Sequence, residues 1–442
     1  MQHRVKVSTL RAAFAATVVA LLSSRANAQE DPGRTPEDLP KPTDESQPNT
    51  IGGEFTPAKG FDLVRTSWGS LNVSFYGLFR YINQLPAGQT FTDHLGRERD
   101  VKPRNDLNWH RTMVWLTGFF YVPQFRYNIT LWSLPTTQQT LLFGNLQYKF
   151  GRALSLGVGV LPNLTARSMQ GSWPFWAGSD RQMSEEFFRG GFSSGVYVSG
   201  EPLPRLFYAL SLNTNLSQLG VTAANDTRAM AYSGSLFWMP TTGEFGPRGG
   251  LGDLEHHEQV ATRFGVSGGR SRESRYAQTS LPPNATQIRL SDGVFPFETG
   301  ALADAVTVDT LTYEEGAADV GFKFKGLSFQ AEYYVRKLSN FDANGPLPLD
   351  SVFDHGFQAQ VMHMVVPKLV GVYFTGGYVF DDFKRRPWEL SGGASVYPSK
   401  TRSWRLNLHV IRVQRSPTGS SFGYYTAGQS GTTISLGTDI LL

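Results

Sequence analysis

Nine basic side chains recur in one setting. Arg80, Arg126, Lys149, Arg205, Arg263, Lys323, Lys325, Arg336 and Arg405 each adjoin an aromatic or aliphatic residue, within segments where apolar and polar residues alternate. Only Glu332 and Glu389 share their phase. Nine cations against two anions on one wall of a narrow, low-dielectric passage would concentrate small anions. A second group lies in LTARSMQGSWPFWAGSDRQMSEEFFRGGF, residues 164–192, where Arg167, Arg181 and Arg189 stand among Asp180, Glu185 and Glu186. Trp173, Phe175, Trp176, Phe187 and Phe188 in the same stretch would fold it against an inner wall. Opposed charges across the resulting constriction would set up a transverse field that orients solutes.

Catalytic and metal-binding alternatives are thin. His363 falls in the apolar phase with Val361 and Val365, and no serine partners it. Glu255-His256-His257-Glu258 contains metal-ligand chemistry, but Ala261 stands where an HExxH site needs its second histidine, so a solvated turn is expected. The chain has no cysteine, which excludes disulfides and thiolate sites. No cofactor is implied.

The elements that must carry these residues are strands. In LNVSFYGLFRYI, Leu71, Val73, Phe75, Phe79 and Tyr81 oppose Asn72, Ser74, Tyr76 and Arg80; in SWRLNLHV, Trp404, Leu406, Leu408 and Val410 oppose Arg405, Asn407 and His409. Period two over about ten residues is a strand with one apolar face, close to the roughly 9 to 11 residues that cross a bilayer when tilted. A lipid-facing Arg or Lys at the bilayer midplane costs about 2 to 4 kcal/mol. The charged phase is therefore expected to face an enclosed lumen. Strands are expected at 70–82, 109–121, 125–134, 140–150, 153–161, 192–200, 205–213, 228–238, 259–269, 317–325, 327–338, 356–366, 370–380, 388–397, 402–413 and 429–442. Those sixteen predict an all-β transmembrane antiparallel barrel over 68–442, with long connections at one end and short turns at the other. Arg111 is assigned to neither face, because both sides of WHRTMVWLTGFF are partly apolar. Pro240 to Glu258 breaks the pattern as a long connection on the short-turn side. Aromatic residues flanking the turns, among them Phe120, Tyr121, Phe125, Tyr127, Tyr148, Phe150, Tyr397 and Trp404, are expected to form interfacial girdles.

Ahead of the barrel, Arg4, Lys6 and Arg11 precede the apolar run AAFAATVVALL and the small-x-small triplet Ala26-Asn27-Ala28, which predicts a cleaved Sec signal over 1–28. Losing it removes Arg4, Lys6, Arg11 and Arg25, taking four from 41 basic residues and leaving 37 against 37 acidic. A neutral mature chain excludes nucleic acid as a partner. Residues 29–67, rich in proline and acid, are expected to form a flexible periplasmic segment.

Three segments, SDRQMSEEFFRGGF (179–192), GAADVGFKFKGLSFQAEYYVRKL (316–338) and GQSGTTISLGTDILL (428–442), carry a resemblance to the phosphate-selective porin O and P family. It spans roughly Trp68 to Leu442. The resemblance implies a sixteen-stranded Gram-negative outer-membrane barrel, a homotrimer among outer-membrane lipid and lipopolysaccharide, passing small anions or other small hydrophilic solutes passively past inward-folded loops. The family's phosphate-selective members have an arginine ladder and a central lysine cluster; the 164–192 loop here has no lysine and three acids. Two other functions fit such a barrel: a structural or adhesive one with a plugged lumen, suggested by inward Tyr76, Trp132, Phe143 and Phe207, and a lipid-modifying enzyme.

Overall fold

A computed structural model describes residues 59–134, 139–170, 174–216, 230–245, 250, 252–275, 288–419 and 423–442. The expected signal and most of the acidic segment lie outside the described residues. The strands in chain order are β1 (Phe61–Arg65), β2 (Ser70–Leu85), β3 (Gln89–Thr92), β4 (Glu98–Val101), β5 (Asn105–Phe120), β6 (Val122–Leu134), β7 (Gln139–Lys149), β8 (Ser155–Pro162), β9 (Phe192–Leu203), β10 (Leu206–Asn213), β11 (Ala231–Trp238), β12 (Ala261–Ser274), β13 (Val308–Phe324), β14 (Leu327–Ala343), β15 (Ser351–Val366), β16 (Val370–Asp381), β17 (Trp388–Val396), β18 (Trp404–Gln414) and β19 (Gly431–Leu441).

Sixteen of these close a ring. Each of β5 to β19 pairs antiparallel with its successor, and β2 joins β5 on one side and β19 on the other. Closure leaves no open edge, the one β-architecture that satisfies every backbone group in hydrocarbon. β1 stands outside the ring, paired to the start of β2, so ordered structure begins before Trp68. β3 and β4 form a separate hairpin in the connection that follows β2.

The alternation sorts as its chemistry requires. Phe264, Val266, Phe329, Phe357, Phe374, Leu390, Leu406, Leu408 and Leu436 are exposed on the outside, while Arg80, Arg263, Lys323, Arg336 and Arg405 are buried inside. An apolar exterior around ionised interior groups makes this a transmembrane barrel. Tyr121, Tyr148, Phe150 and Trp404 sit exposed at the rim of the short-turn end, but Tyr397 does not join them. Its ring turns inward and packs with Ala177, Met362, Met364 and Tyr373. Several strands outrun their sequence boundaries at the long-loop end, where β13 and β14 reach 17 residues each.

Candidate functional site: the lumen and its inward loop

The connection from β8 to β9 enters the barrel. After a 3-10 turn at Arg167–Gln170, the chain forms a short helix, α1 (Met183–Phe188), whose side chains are all buried. α1 lies against β15, β16 and β17. The fit is tight: a Cβ on Gly377 would stand 2.5 Å from Ser184 Oγ, so the serine hydroxyl would have to rotate away from that point of β16. Trp176, Met183, Phe187 and Phe188 join inward Tyr76, Trp115, Trp132, Phe143 and Tyr334 in one cluster. Phe188 stacks on Tyr334 at 5.0 Å between centroids. Burying each such side chain contributes about 1.5 to 3 kcal/mol.

Polar staples then fix the loop to the wall. Glu332 accepts the Arg167 amide at 2.8 Å and Glu389 accepts the Met183 amide at 3.0 Å. Arg405 donates to the carbonyls of Trp176 and Gly178, and Arg336 to that of Phe187. Tyr424, from the connection between β18 and β19, receives the Ser179 amide at 2.7 Å. Burial pushes the Glu185 carboxyl above the ordinary range, and Arg181, 3.3 Å away, pulls it back. Burial also lowers the Arg167 guanidinium, to about 10, and Arg263 beside it adds to the effect.

The expected positive wall is not what the pairing makes. Arg80 meets Asp180 at 3.3 Å, Arg263 meets Asp319 at 2.9 Å, Arg336 meets Asp354 at 2.6 Å, and Arg402 and Arg405 share Asp439. Arg189 holds Glu186 at 2.8 Å. Three of these acids, Asp319, Asp354 and Asp439, were missed in the count of nine cations to two anions. Two of them stand directly across the ladder from their partners, Asp439 opposite Arg405 and Asp354 opposite Arg336. Aligning the predicted strands in register would have found Asp439, but Asp354 lies two residues before the strand expected at 356–366.

Other residues depart from their expected places. Arg205 and Lys325 belong to turns, with φ of 70° and 47°, and both are exposed. Arg205 donates to the carbonyls of Pro240 and Thr241 rather than facing the lumen. Lys323 does face inward, but its ammonium is bound to the Phe245 carbonyl at 2.7 Å. Arg126 and Lys149 are half-buried near the short-turn end, with no carboxylate of a described residue in ion-pair reach. Arg111, left unassigned, is buried beside Asp180 at 3.7 Å. A register shift between β2 and β5 explains it: Leu78 faces Arg111 and Phe79 faces Trp109, so His110 is the extra residue of a bulge and both His110 and Arg111 are buried. His363 is exposed on the outer face.

The long connection on the short-turn side also turns inward. Phe245 is buried beneath the loop, with the Arg167 guanidinium 5.3 Å from its ring. A Cβ on Gly321 would come within 2.6 Å of that ring. The return of the connection is not the solvated turn expected from Glu255-His256-His257-Glu258. His257 Nδ1 bonds Asp253, its Nε2 lies 2.8 Å from Glu244, and Asp253 accepts the Gly326 amide at 2.7 Å. Burial alone would lower the His257 imidazole, but the bonds to Asp253 and Glu244 outweigh it and hold it up at about 9. Asp253, Glu255 and His257 bring ligand atoms within 4.8 Å of one another. With both ring nitrogens given to carboxylates, the arrangement is an ion-paired clasp.

The chain is similar in structure to outer-membrane expressed OmpT of Vibrio cholerae, with a TM-score of 0.52 and 10% identity over 86% of this chain and 99% of that one. The trimer form of in-vitro folded OmpT from the same organism gives 0.50 and 11%, over 84% and 99%. An anion-selective porin from Comamonas acidovorans gives 0.48 and 10%, over 84% and 100%. No family model and no curated protein matches the chain. At these identities the likeness shows the fold alone, an outer-membrane-type β-barrel.

Proposed function

We propose that this chain is a Gram-negative outer-membrane porin through which small hydrophilic solutes diffuse passively, with a preference for anions. The observation that carries the reading is the sorting of side chains: an apolar exterior encloses a lumen of ionised and amide groups, narrowed by a loop that folds in from the long-loop end. Outer-membrane barrels keep short turns in the periplasm, which would put Arg126 and Lys149 at the periplasmic mouth. Those two cations support anion preference, since the arginines at loop level are already matched by carboxylates. The same matching favours small anions in general over phosphate alone. A homotrimer in contact with outer-membrane lipid and lipopolysaccharide, delivered by the 1–28 signal, completes the proposal.

One observation favours a second reading, a barrel with a plugged lumen. Inward Tyr334, Arg336, Arg405, Tyr424 and Lys323 have 1% exposure or less. Planar-bilayer recording of the purified protein under a KCl gradient decides between the two. The porin reading expects discrete conductance steps and a reversal potential displaced toward chloride; silence selects the plug, and displacement toward potassium removes the anion preference.

A further inference from the structure

The inner wall is not equally dry all round. From β12 to β19 the inward charged residues, Arg263, Asp319, Glu332, Asp354, Glu389 and Arg405, are all buried, and the 164–192 loop fastens to this arc. The arc from β5 to β7 differs. At its short-turn end the inward side chains Arg126, Asn145, Gln147 and Lys149 are partly exposed. At its long-loop end Arg104, Asp106 and Asn108 are partly exposed as well, tied together by the Arg104–Asp106 pair at 2.8 Å and the Asn108 amide on Asp106 at 2.7 Å. Between these two solvated reaches the same strands carry a dry collar. Trp132 and Phe143 lie 6.4 Å apart between ring centroids and are buried with Thr130, in one cluster with Trp176, Phe187 and Phe188 of the inward loop, and the Arg111 guanidinium sits 5.7 Å from the Trp132 ring.

We infer that the solute path follows the β5–β7 face, entering over Arg126 and Lys149 and pinched at Trp132 and Phe143 beside Arg111. The inference rests on the porin reading and adds to it a route, a gate and a solute class. Among the described residues, the route is the face where polar inward groups are partly exposed on both sides of a single obstacle. The gate is aromatic, with the Arg111 guanidinium beside it 3.7 Å from Asp180. The class is small anions, because the solvated reach near the short turns carries two positive side chains outside ion-pair reach of any described carboxylate, whereas the reach near the long loops is balanced by Asp106.

The chain has no cysteine, so one introduced thiol reports on one place. Gln147→Cys and Asn145→Cys on the β5–β7 face are compared with Gln358→Cys on β15, using the anionic sulfonatoethyl and the cationic trimethylammonium-ethyl methanethiosulfonates on the folded barrel in detergent. Mass spectrometry gives the rates, each normalised to the reagent's rate with a free thiol. The expected result is labelling of both β7 positions roughly 100-fold faster than Gln358→Cys, which is reached only through local opening. The anionic reagent should lead by about tenfold at Gln147→Cys. In bilayers, Phe143→Ala or Trp132→Ala should raise single-channel conductance severalfold while Ser435→Ala, at a buried inward position on β19, leaves it unchanged. A conducting barrel that labels Gln358→Cys as fast as Gln147→Cys, or that prefers the cationic reagent, overturns the path and leaves the porin reading standing. A barrel silent in bilayers overturns the porin reading and the path with it.

Discussion

Two segments enter the lumen from opposite ends, and they are held by different chemistry. The 164–192 loop comes from the long-loop end and is fixed by arginine–carboxylate pairs and backbone bonds to wall acids. Arginine stays charged at any accessible pH, so the guanidinium half of these pairs never switches off. The 240–258 connection comes from the short-turn end, inserts the single ring of Phe245, and closes on a histidine held between Asp253 and Glu244. The 164–192 loop has no histidine, whereas this connection has His256 and His257, and histidine is the side chain whose charge changes over ordinary pH. The contrast teaches that a long insertion can be an immovable part of a wall, while a shorter one can be conditional.

The largest expected effect tests the arginine-held side. Asp439 faces both Arg402 and Arg405, which in turn hold the carbonyls of Pro174, Trp176 and Gly178. Asp439→Ala leaves two buried guanidinium groups without their carboxylate, a change that costs about 3 to 5 kcal/mol. Heat-modifiable gel mobility should shift to lower temperature, and the loop should become sensitive to protease. Arg126→Ala, at a half-buried position, should stay within about 0.5 kcal/mol of wild type. Equal losses in the two variants would show that the Asp439 cluster does not anchor the loop.

Much of this was legible in the sequence. Period-two alternation located all sixteen barrel strands, since a membrane strand must put apolar groups on lipid at every second position. The inward loop was legible from Trp176, Phe187 and Phe188, which a solvated loop has no reason to collect. Alternation assigns a face and says nothing of the neighbour on the next strand, so Arg405 and Arg336 read as free cations until the register set Asp439 and Asp354 opposite them. The His110 bulge left no mark either, because one extra residue shifts the phase without changing composition. Phe245 was hidden for a third reason. Its neighbours Gly243, Glu244, Gly246 and Pro247 are polar or turn-forming, and its burial comes from Phe207, Phe237, Met239 and Ala261 together with Gly321 and Lys323, the last two some eighty residues away.

The next effect in size tests that close approach. Gly321→Ala places a methyl group within 2.6 Å of the Phe245 ring, at a position where the backbone itself tolerates alanine. Overpacking of this kind costs about 1 to 3 kcal/mol. Because the connection has fewer fastenings than the loop, the strain should be relieved by Phe245 leaving the lumen rather than by the barrel opening. Limited proteolysis within 240–258 should quicken while the barrel's melting temperature stays the same. A fall in melting temperature without new cleavage would mean that the connection is as firmly built in as the loop.

The smallest effect is local and depends on pH. His257 in the folded protein titrates at about 9, above its ordinary 6.5. A group whose folded value is raised stabilises fully below its unfolded value and loses that contribution as the pH rises through the folded one. The clasp should therefore be tight below pH 6.5 and slacken toward pH 9. Lys323 faces the imidazole and favours its release, Glu244 and Asp253 oppose it, and Glu255 lies alongside. The reporter is the Gly326 amide, which donates to Asp253 across the clasp. Its hydrogen-exchange protection factor, corrected for the intrinsic rate, should fall between pH 6.5 and 9 in wild type and stay level in His257→Gln, where no charge is lost. Over the same interval the Ser179 amide of the loop, which donates to the Tyr424 hydroxyl, should keep its protection. If both amides weaken together the two segments form one cooperative plug; if neither weakens, Asp253 holds the Gly326 turn without help from the charge on His257.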